Sequence, residues 1–409
     1  MPLANTSFTE KAWRLSPMYL LYFTLFGVFV PYIARFLTVN GLTEQEASTI
    51  IAVVNGVNVF APFLFSVLAD RSGRRLFYIR LGYVGMGVFY LLALAGSGFW
   101  YYLTVFGLFG IFLSAVLPQM EAITLAILGP ERSRYGQIRF WGSLGFVVVV
   151  WSLGFLLETY SVAILPIAGG VLSLLMFLST FLIPEQKKSA LPTVPKVETV
   201  LSTLKVDRPQ IAILLAVIFC WQIGMAPYNT FFDLFLRLQG FSTTSIGFLI
   251  SFGAICEIFI FIYISRLFNH FSERHLMSFA LLVTVLRWLI MARFADSFVT
   301  VLLLQSLHAL TFGLVHSVAV HRIGHLFPAN KASLGQGMYV AFGSGAGLFI
   351  GNLLAGWLWQ GTGFIYLQAA MWSLLALLLT WFGFKDKSAG VTERPDMDQD
   401  PIDSSVASR

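Results

Sequence analysis

Twelve apolar runs succeed one another along this chain, each about twenty residues long, which is the length an α-helix needs to cross a bilayer. They lie at about 15–36, 47–68, 76–96, 100–127, 136–157 and 162–183, then at about 210–236, 244–265, 275–294, 297–320, 332–358 and 364–384. Inside hydrocarbon every backbone amide must find its partner within the segment or in a closed barrel, so runs of this length read as helices. The expected fold class is an all-α membrane protein with twelve transmembrane helices. Composition agrees: 57% of the 409 residues are hydrophobic and 11% are charged, where a soluble domain would carry about 25% charged residues.

The runs fall as six, a gap, and six more. The gap, Pro184 to Pro209, holds four prolines and five lysines or arginines and reads as a linker between an N-terminal six-helix bundle over residues 1–183 and a C-terminal one over residues 210–384. Residues 385–409 are polar without hydrophobic period, the mark of a disordered tail. Loops on the side of the N-terminus carry most of the bases, among them Arg71, Arg74, Arg75, Arg132, Arg134, Lys187 and Arg322, whereas the opposite loops offer Arg35, Arg237 and Arg293. The positive-inside rule then places both termini and the linker in the cytoplasm, with the chain in a plasma membrane, the inner membrane of a bacterium. The formal charge of +6 is accounted for by those loops, so no nucleic-acid partner is expected. Lys11 and Arg14 precede the first run, which is too long for a signal-peptide core and lacks an A-x-A cleavage site. Cys220 and Cys256 sit in apolar runs without metal-ligand spacing and are expected to be buried structural thiols.

A charge at membrane depth costs at least ~2.5–3.5 kcal/mol, so those that occur should meet each other or a ligand. Glu121 lies near the end of the fourth run and Arg139 near the start of the fifth, across the short reversal GPERSR. At 1.5 Å per residue they stand roughly 9 and 6 Å inside one surface, which permits pairing. Gly142 and Gly145, with Ser143, let another helix come close there. In the second half Glu257, Arg287 and His308 fall on consecutive runs, roughly 16–20 Å from the nearer ends and close to the bilayer middle. An acid, a base and an imidazole at that depth are a proton-relay type of set. Asp233 and Arg237, one turn apart near the outer end of the seventh run, read as a local surface pair, and Arg35 and Arg80 as snorkelling residues at the interface. His321 and His325 stand at i, i+4, but no HExxH occurs and their run reaches the boundary, so no metal is expected. No GxSxG or P-loop is present either, which argues against an enzyme. A non-transporting sensor would call for a large appended domain, and the tail has only 25 residues.

The halves echo each other: Trp141-Gly142-Ser143 has a counterpart in Phe342-Gly343-Ser344, where Gly343, Gly347 and Gly351 form a stripe at helical spacing. Between the second and third runs, Ser66-Val-Leu-Ala-Asp70-Arg71-Ser-Gly73-Arg74-Arg75 resembles the loop pattern of the major facilitator superfamily, with Ser66 where a glycine is usual. That resemblance implies two six-helix bundles around a midplane site, and a conformational latch at Asp70, Arg71, Gly73 and Arg74. Pro118-x-x-Glu121, followed by Tyr135-Gly136-x-x-Arg139-x-Trp141-Gly142-Ser143-x-Gly145-Phe146, resembles the phenylpropionate permease family and, more distantly, lactose permease. Gly253-Ala-Ile-Cys-Glu257, Arg287-Trp288 and Leu307-His308 with Thr311-Phe312 are similar to the same family. The likeness makes Glu121 and Arg139 candidates for substrate contact, with a gate that closes when they pair as the alternative; depth and chemistry make Arg287 and His308 candidates for substrate binding and Glu257 and His308 for proton coupling. Where lactose permease carries a glutamate one turn after its histidine, this chain has Thr311. The expected function is uptake of a small organic, aromatic carboxylate such as 3-phenylpropionate by a monomer, with a proton as coupling ion and no other cofactor. Sugar or nucleoside symport is the alternative within the superfamily. In the expected cycle Glu257 balances Arg287 until the substrate carboxylate displaces it, and Glu257 then takes up a proton.

Overall fold

The computed structural model describes residues 6–184, 207–328 and 331–385. Most of the expected linker and tail therefore lies outside the described residues. Twelve helical stretches follow one another. They are α1 (Phe8–Phe29, continued as Ile33–Val39), α2 (Glu44–Gly56 and Ala61–Ser72), α3 (Arg75–Leu92), α4 (Phe99–Leu128), α5 (Tyr135–Thr159), α6 (Ile164–Ser179), α7 (Arg208–Leu238), α8 (Thr243–His270), α9 (Glu273–Phe294), α10 (Phe298–Ser306 to Val315–Leu326), α11 (Ala332–Val340 to Leu348–Trp357) and α12 (Phe364–Gly383). By length and apolarity nine described stretches qualify to cross a membrane, or ten with the bent α1 taken as one, and α4 with α5 forms a single one of these. α3, with Arg75 and Arg80, is not among them.

Short polar turns cut the runs into helices through named caps. Thr43 and Glu46 form a reciprocal capping box at the start of α2, and Ser242, Ser272 and Ser297 each accept from a backbone amide in the first turn of α8, α9 and α10. Gly73 closes α2 in the left-handed conformation, at φ +67°, which a side chain would resist. The lateral surface is apolar: Phe382 is 80% exposed and Trp100 76%, as expected of side chains that face lipid rather than water.

Small residues decide which helices touch. In the first half α1 packs on α5 and α3 on α4 and α6; in the second, α7 packs on α11 and α12 and α9 on α12. A Cβ at Gly145 of α5 would stand 2.5 Å from the Leu20 carbonyl of α1, and one at Gly351 of α11 would stand 2.8 Å from the Ile223 Cα of α7. The expected glycine stripes are thus the α1–α5 and α7–α11 seams, one in each half.

The halves meet through α2 with α11 and α5 with α8. Among the described residues every hydrogen bond between them lies toward the end of the molecule away from the termini. Arg35 donates to Thr243 Oγ1 at 3.0 Å, Ser48 to the Asn352 carbonyl, the Thr244 amide to Glu158 at 2.9 Å, and Ser251 to the Val147 carbonyl at 2.9 Å. Gly154 and Gly247 bring α5 and α8 nearly backbone to backbone there. Ion pairs at the terminal end, Lys11–Glu131, Asp70–Arg75 and Arg322–Glu273, stay inside one half. Among the described residues these hydrogen bonds thus close the space between the halves, the cleft, at the far end, and none joins the halves toward the termini.

Candidate functional site

Arg287 is the anchor of the central site. It sits on α9 with no exposed surface. Its Nη1 donates to Thr311 Oγ1 at 2.7 Å, its Nη2 donates to Gln305 Oε1 at 2.6 Å, and Nη1 also approaches His308 Nδ1 at 3.3 Å. The guanidinium carbon lies 4.9 Å from the ring centre of Tyr228 and 4.6 Å from that of Trp288. Gln305 in turn donates to the Tyr228 hydroxyl at 3.3 Å. Among the described residues no carboxylate reaches this guanidinium. A fully buried cation is thus held by neutral acceptors and ring faces, which orient it without cancelling its charge.

The backbone of α10 is shaped for that cage. Residues Ala309–Leu314 form a π-helical turn, one residue wider than an α-turn, directly after His308. Such turns strand a carbonyl, and the indole of Trp221 on α7 donates to the Thr311 carbonyl at 3.0 Å. Thr311, which departs from the lactose permease pattern, serves as an acceptor for Arg287. The rings of His308, Phe312 and His316 stack in near-parallel order along the helix, with interplanar angles of 4° and 2°.

His308 bridges Arg287 and Glu257. Because an arginine only donates, the contact at His308 Nδ1 makes that nitrogen the acceptor and puts the imidazole proton on Nε2. Nε2 faces Glu257 Oε2 at 3.7 Å. The expected direct balance of Arg287 by Glu257 is not formed: the imidazole stands between them. Glu257 and His308 keep 19% and 12% of their side-chain surface exposed, so both border the cleft that Arg287 lies behind.

On the first-half wall Glu121 and Arg139 are both half-buried, but they do not form the ion pair their depths permit. Glu121 instead accepts from the Tyr135 hydroxyl at 3.1 Å, and Arg139 lies over the ring of Phe23 at 3.7 Å. The reason is local: Tyr135 opens α5 one turn before Arg139 and reaches the carboxylate first, while Phe23 on α1 lies against Gly142. Tyr19 packs edge-on to Tyr135, with ring centres 6.1 Å apart, and donates to Thr124 at 3.1 Å.

At the terminal end Asp70 pairs with Arg75, whose Nη1 also donates to Gln119 Oε1 at 2.9 Å. Gln119 donates to Ser66 Oγ at 2.9 Å, so the serine in the place of the usual glycine is a working acceptor. Gly73 provides the turn, while Arg71 is exposed and Arg74 contributes its backbone amide to Ser72. Arg75, which the expected latch set leaves out, is thus the partner of Asp70.

Two readings are corrected. Asp233 is not part of a surface pair: it is 2% exposed, and neither carboxylate oxygen has a hydrogen-bond partner among the described residues. Arg35 does not snorkel; it is 8% exposed and bridges Thr243 and the Leu157 carbonyl at 3.1 Å. Both lie where the second segment of α1, beyond its 41° bend, packs against α7. Gln305, Tyr228 and Trp288 were also missed as site residues. Gln305 precedes His308 by one turn, and that i, i+3 spacing was the available signal.

Comparison with known proteins adds the family and the fold. The model of the MFS_1 like family matches residues 12–369. The probable 3-phenylpropionic acid transporter of Escherichia coli K12 is 27% identical over 370 residues, covering 88% of this chain and 95% of that protein. The maltose permease of Geobacillus stearothermophilus is 25% identical over 379 residues, covering 91% and 94%. Among solved structures, a mutant of the nucleoside transporter NupG superposes with a TM-score of 0.83 at 16% identity, covering 92% of this chain and 100% of that one. At that identity the likeness shows the fold, and it is the expected major facilitator fold.

Proposed function

Because this chain belongs to the MFS_1 like family and is therefore a multi-pass membrane transporter, we propose that its substrate is a small aromatic carboxylate, taken up with one proton by alternating access. The observation that carries the proposal is Arg287, a fully buried guanidinium with no carboxylate partner among the described residues. A cation held in this way presents an uncancelled positive field to the cleft, and a monocarboxylate is the ligand it favours. Arg139 on the opposite wall likewise rests on a ring and not on an acid. Rings flank both cations, which suits an aromatic acid. The relation to a probable 3-phenylpropionic acid transporter points to the same chemistry.

Charge balance supplies the coupling. The walls carry Arg139 and Arg287 against Glu121 and Glu257, and the hydrogen bond to Arg287 keeps His308 a neutral bridge. The empty site thus sums to about zero. A carboxylate entering alone would leave one net negative charge in a low-dielectric cleft; a carboxylate with a proton leaves none. Glu257 is the proposed proton carrier, since it borders the cleft and among the described residues its carboxylate has only the long contact to His308. The substrate would approach Arg139 and Glu257 from the open end, and its carboxylate would feel Arg287 through the His308 bridge. The proposed setting is the bacterial inner membrane with the open end of the cleft facing the cytoplasm.

The similarity to a maltose permease, nearly as high, keeps a neutral polar substrate as the second reading. Uptake of labelled 3-phenylpropionate, maltose and a nucleoside by cells producing the wild type or Arg287→Ala separates them. The proposal expects uptake of the acid and its loss in the variant. Uptake of the sugar or nucleoside alone, or of the acid undiminished by the substitution, would contradict it.

A further inference from the structure

Where α9 begins and α10 ends, three side chains from two helices point their ligand atoms at one spot. Glu273 Oε1 lies 2.8 Å from His321 Nδ1 and 2.7 Å from His325 Nδ1, and the three atoms all fall within 4.8 Å of one another. The two histidines are one turn apart on α10, so their rings share a face. Glu273 arrives from the first turn of α9, fixed by the Ser272 cap.

We propose that Glu273, His321 and His325 form a binding site for a divalent transition-metal ion of the zinc type. Two imidazoles and one carboxylate are a ligand set for zinc, nickel, cobalt or copper, not for calcium or magnesium. Ligand distances of about 2.0–2.2 Å around tetrahedral zinc put the donor atoms roughly 3.3–3.5 Å apart. The two short edges of this triangle need to open by about half an ångström to reach that spacing, a movement that side-chain rotation supplies. The surroundings are those of a prepared site. Arg322 donates to the other carboxylate oxygen, Oε2, at 2.7 Å, which leaves Oε1 free to turn to an ion. Phe268 stacks on the His321 ring with centres 4.0 Å apart, so that ring is already oriented. His321 and His325 are 37% and 39% exposed, which gives an ion access and leaves room for water as the fourth ligand.

The site lies at the terminal end of the second half, apart from the cleft residues. Arg322 also donates to Gln210 of α7 and packs on Phe384 just beyond α12. An ion held by Glu273 would therefore brace a node where four helices of that half meet.

The test is zinc titration by calorimetry of the purified full-length protein, produced with a tag that contains no histidine. The expected result is one saturable site per chain for zinc and none for magnesium. Affinity should fall at least tenfold in the double variant His321→Ala, His325→Ala and stay unchanged in the control His270→Ala, His275→Ala, which removes two neighbouring histidines. Zinc-edge absorption spectroscopy of the wild type gives a measurement independent of any variant's folding, and should show two imidazoles with oxygen ligands. Absence of saturable binding, equal loss in the control, or a zinc shell without two imidazoles would overturn the proposal.

Discussion

Arg287 and Arg139 are both guanidiniums set among apolar helices, yet their surroundings differ. Arg287 has no exposed surface and is gripped by Thr311, Gln305 and His308, whereas Arg139 is half-buried and rests on the face of Phe23. Arg287 cannot leave its place without stranding several acceptors in a dry interior. Arg139, resting on one ring face, has fewer bonds to give up when it turns to a ligand. The difference suggests a division of labour, with a fixed field in the second half and a mobile contact in the first.

The largest expected effect follows from breaking the fixed member. Arg287→Ala should reduce uptake on the order of 100-fold or more, since it removes two charged hydrogen bonds, to Thr311 and Gln305, of ~1.5–3 kcal/mol each, and each 1.4 kcal/mol is tenfold. Arg287→Lys should not restore it, because a point charge does not reproduce the planar fork that serves Thr311 and Gln305 together. Uptake normalised to the amount of protein in the membrane checks both. Next comes Glu257→Gln, expected to abolish accumulation against a gradient while leaving exchange of internal for external substrate. Wild-type uptake should rise as the outside is acidified, because the proton binds with the substrate, and that slope should flatten in the variant. An equal loss of exchange and accumulation would remove Glu257 from the coupling step.

Smaller effects are expected on the mobile side. Arg139→Ala should raise the half-saturation concentration about tenfold, the worth of one charged hydrogen bond of ~1.5–3 kcal/mol less what solvent restores. Phe23→Leu keeps apolar bulk but removes the ring face, and should change it only two- to fivefold, in line with a cation–π contribution of ~0.5–1 kcal/mol. If Arg139→Ala proved as damaging as Arg287→Ala, the contrast between fixed and mobile arginines would fail.

Helix number and order were legible from run length alone, because hydrocarbon leaves the backbone no other choice. That Glu257, Arg287 and His308 share a level was legible from residue counts, as was the close packing at Gly145 and Gly351. What counting could not supply was direction around each helix. Glu121 and Arg139 share a depth but not a contact, since Tyr135 and Phe23 reach them first. The spacing of Gln305 and His308 was legible, but the π-helical turn after His308 changes the phase of α10, so an ideal period does not fix where Thr311 points. Asp233 and Arg35 were misjudged because their distance from the chain's apolar centres says nothing about the bend beyond which α1 packs against α7. Glu273 joins His321 and His325 from 48 residues away, a juxtaposition that only the packing of α9 on α10 creates.

The central claim is that a bound acid leaves the site charges summing to zero only when a proton enters with it, and transport by purified protein in sealed vesicles tests it most directly. With labelled 3-phenylpropionate, an imposed pH difference, acid outside, should drive accumulation with about 1.4 kcal/mol per unit, while a potassium-diffusion potential at equal pH should drive none. Accumulation driven by the potential alone, or indifference to the pH difference, would contradict the account.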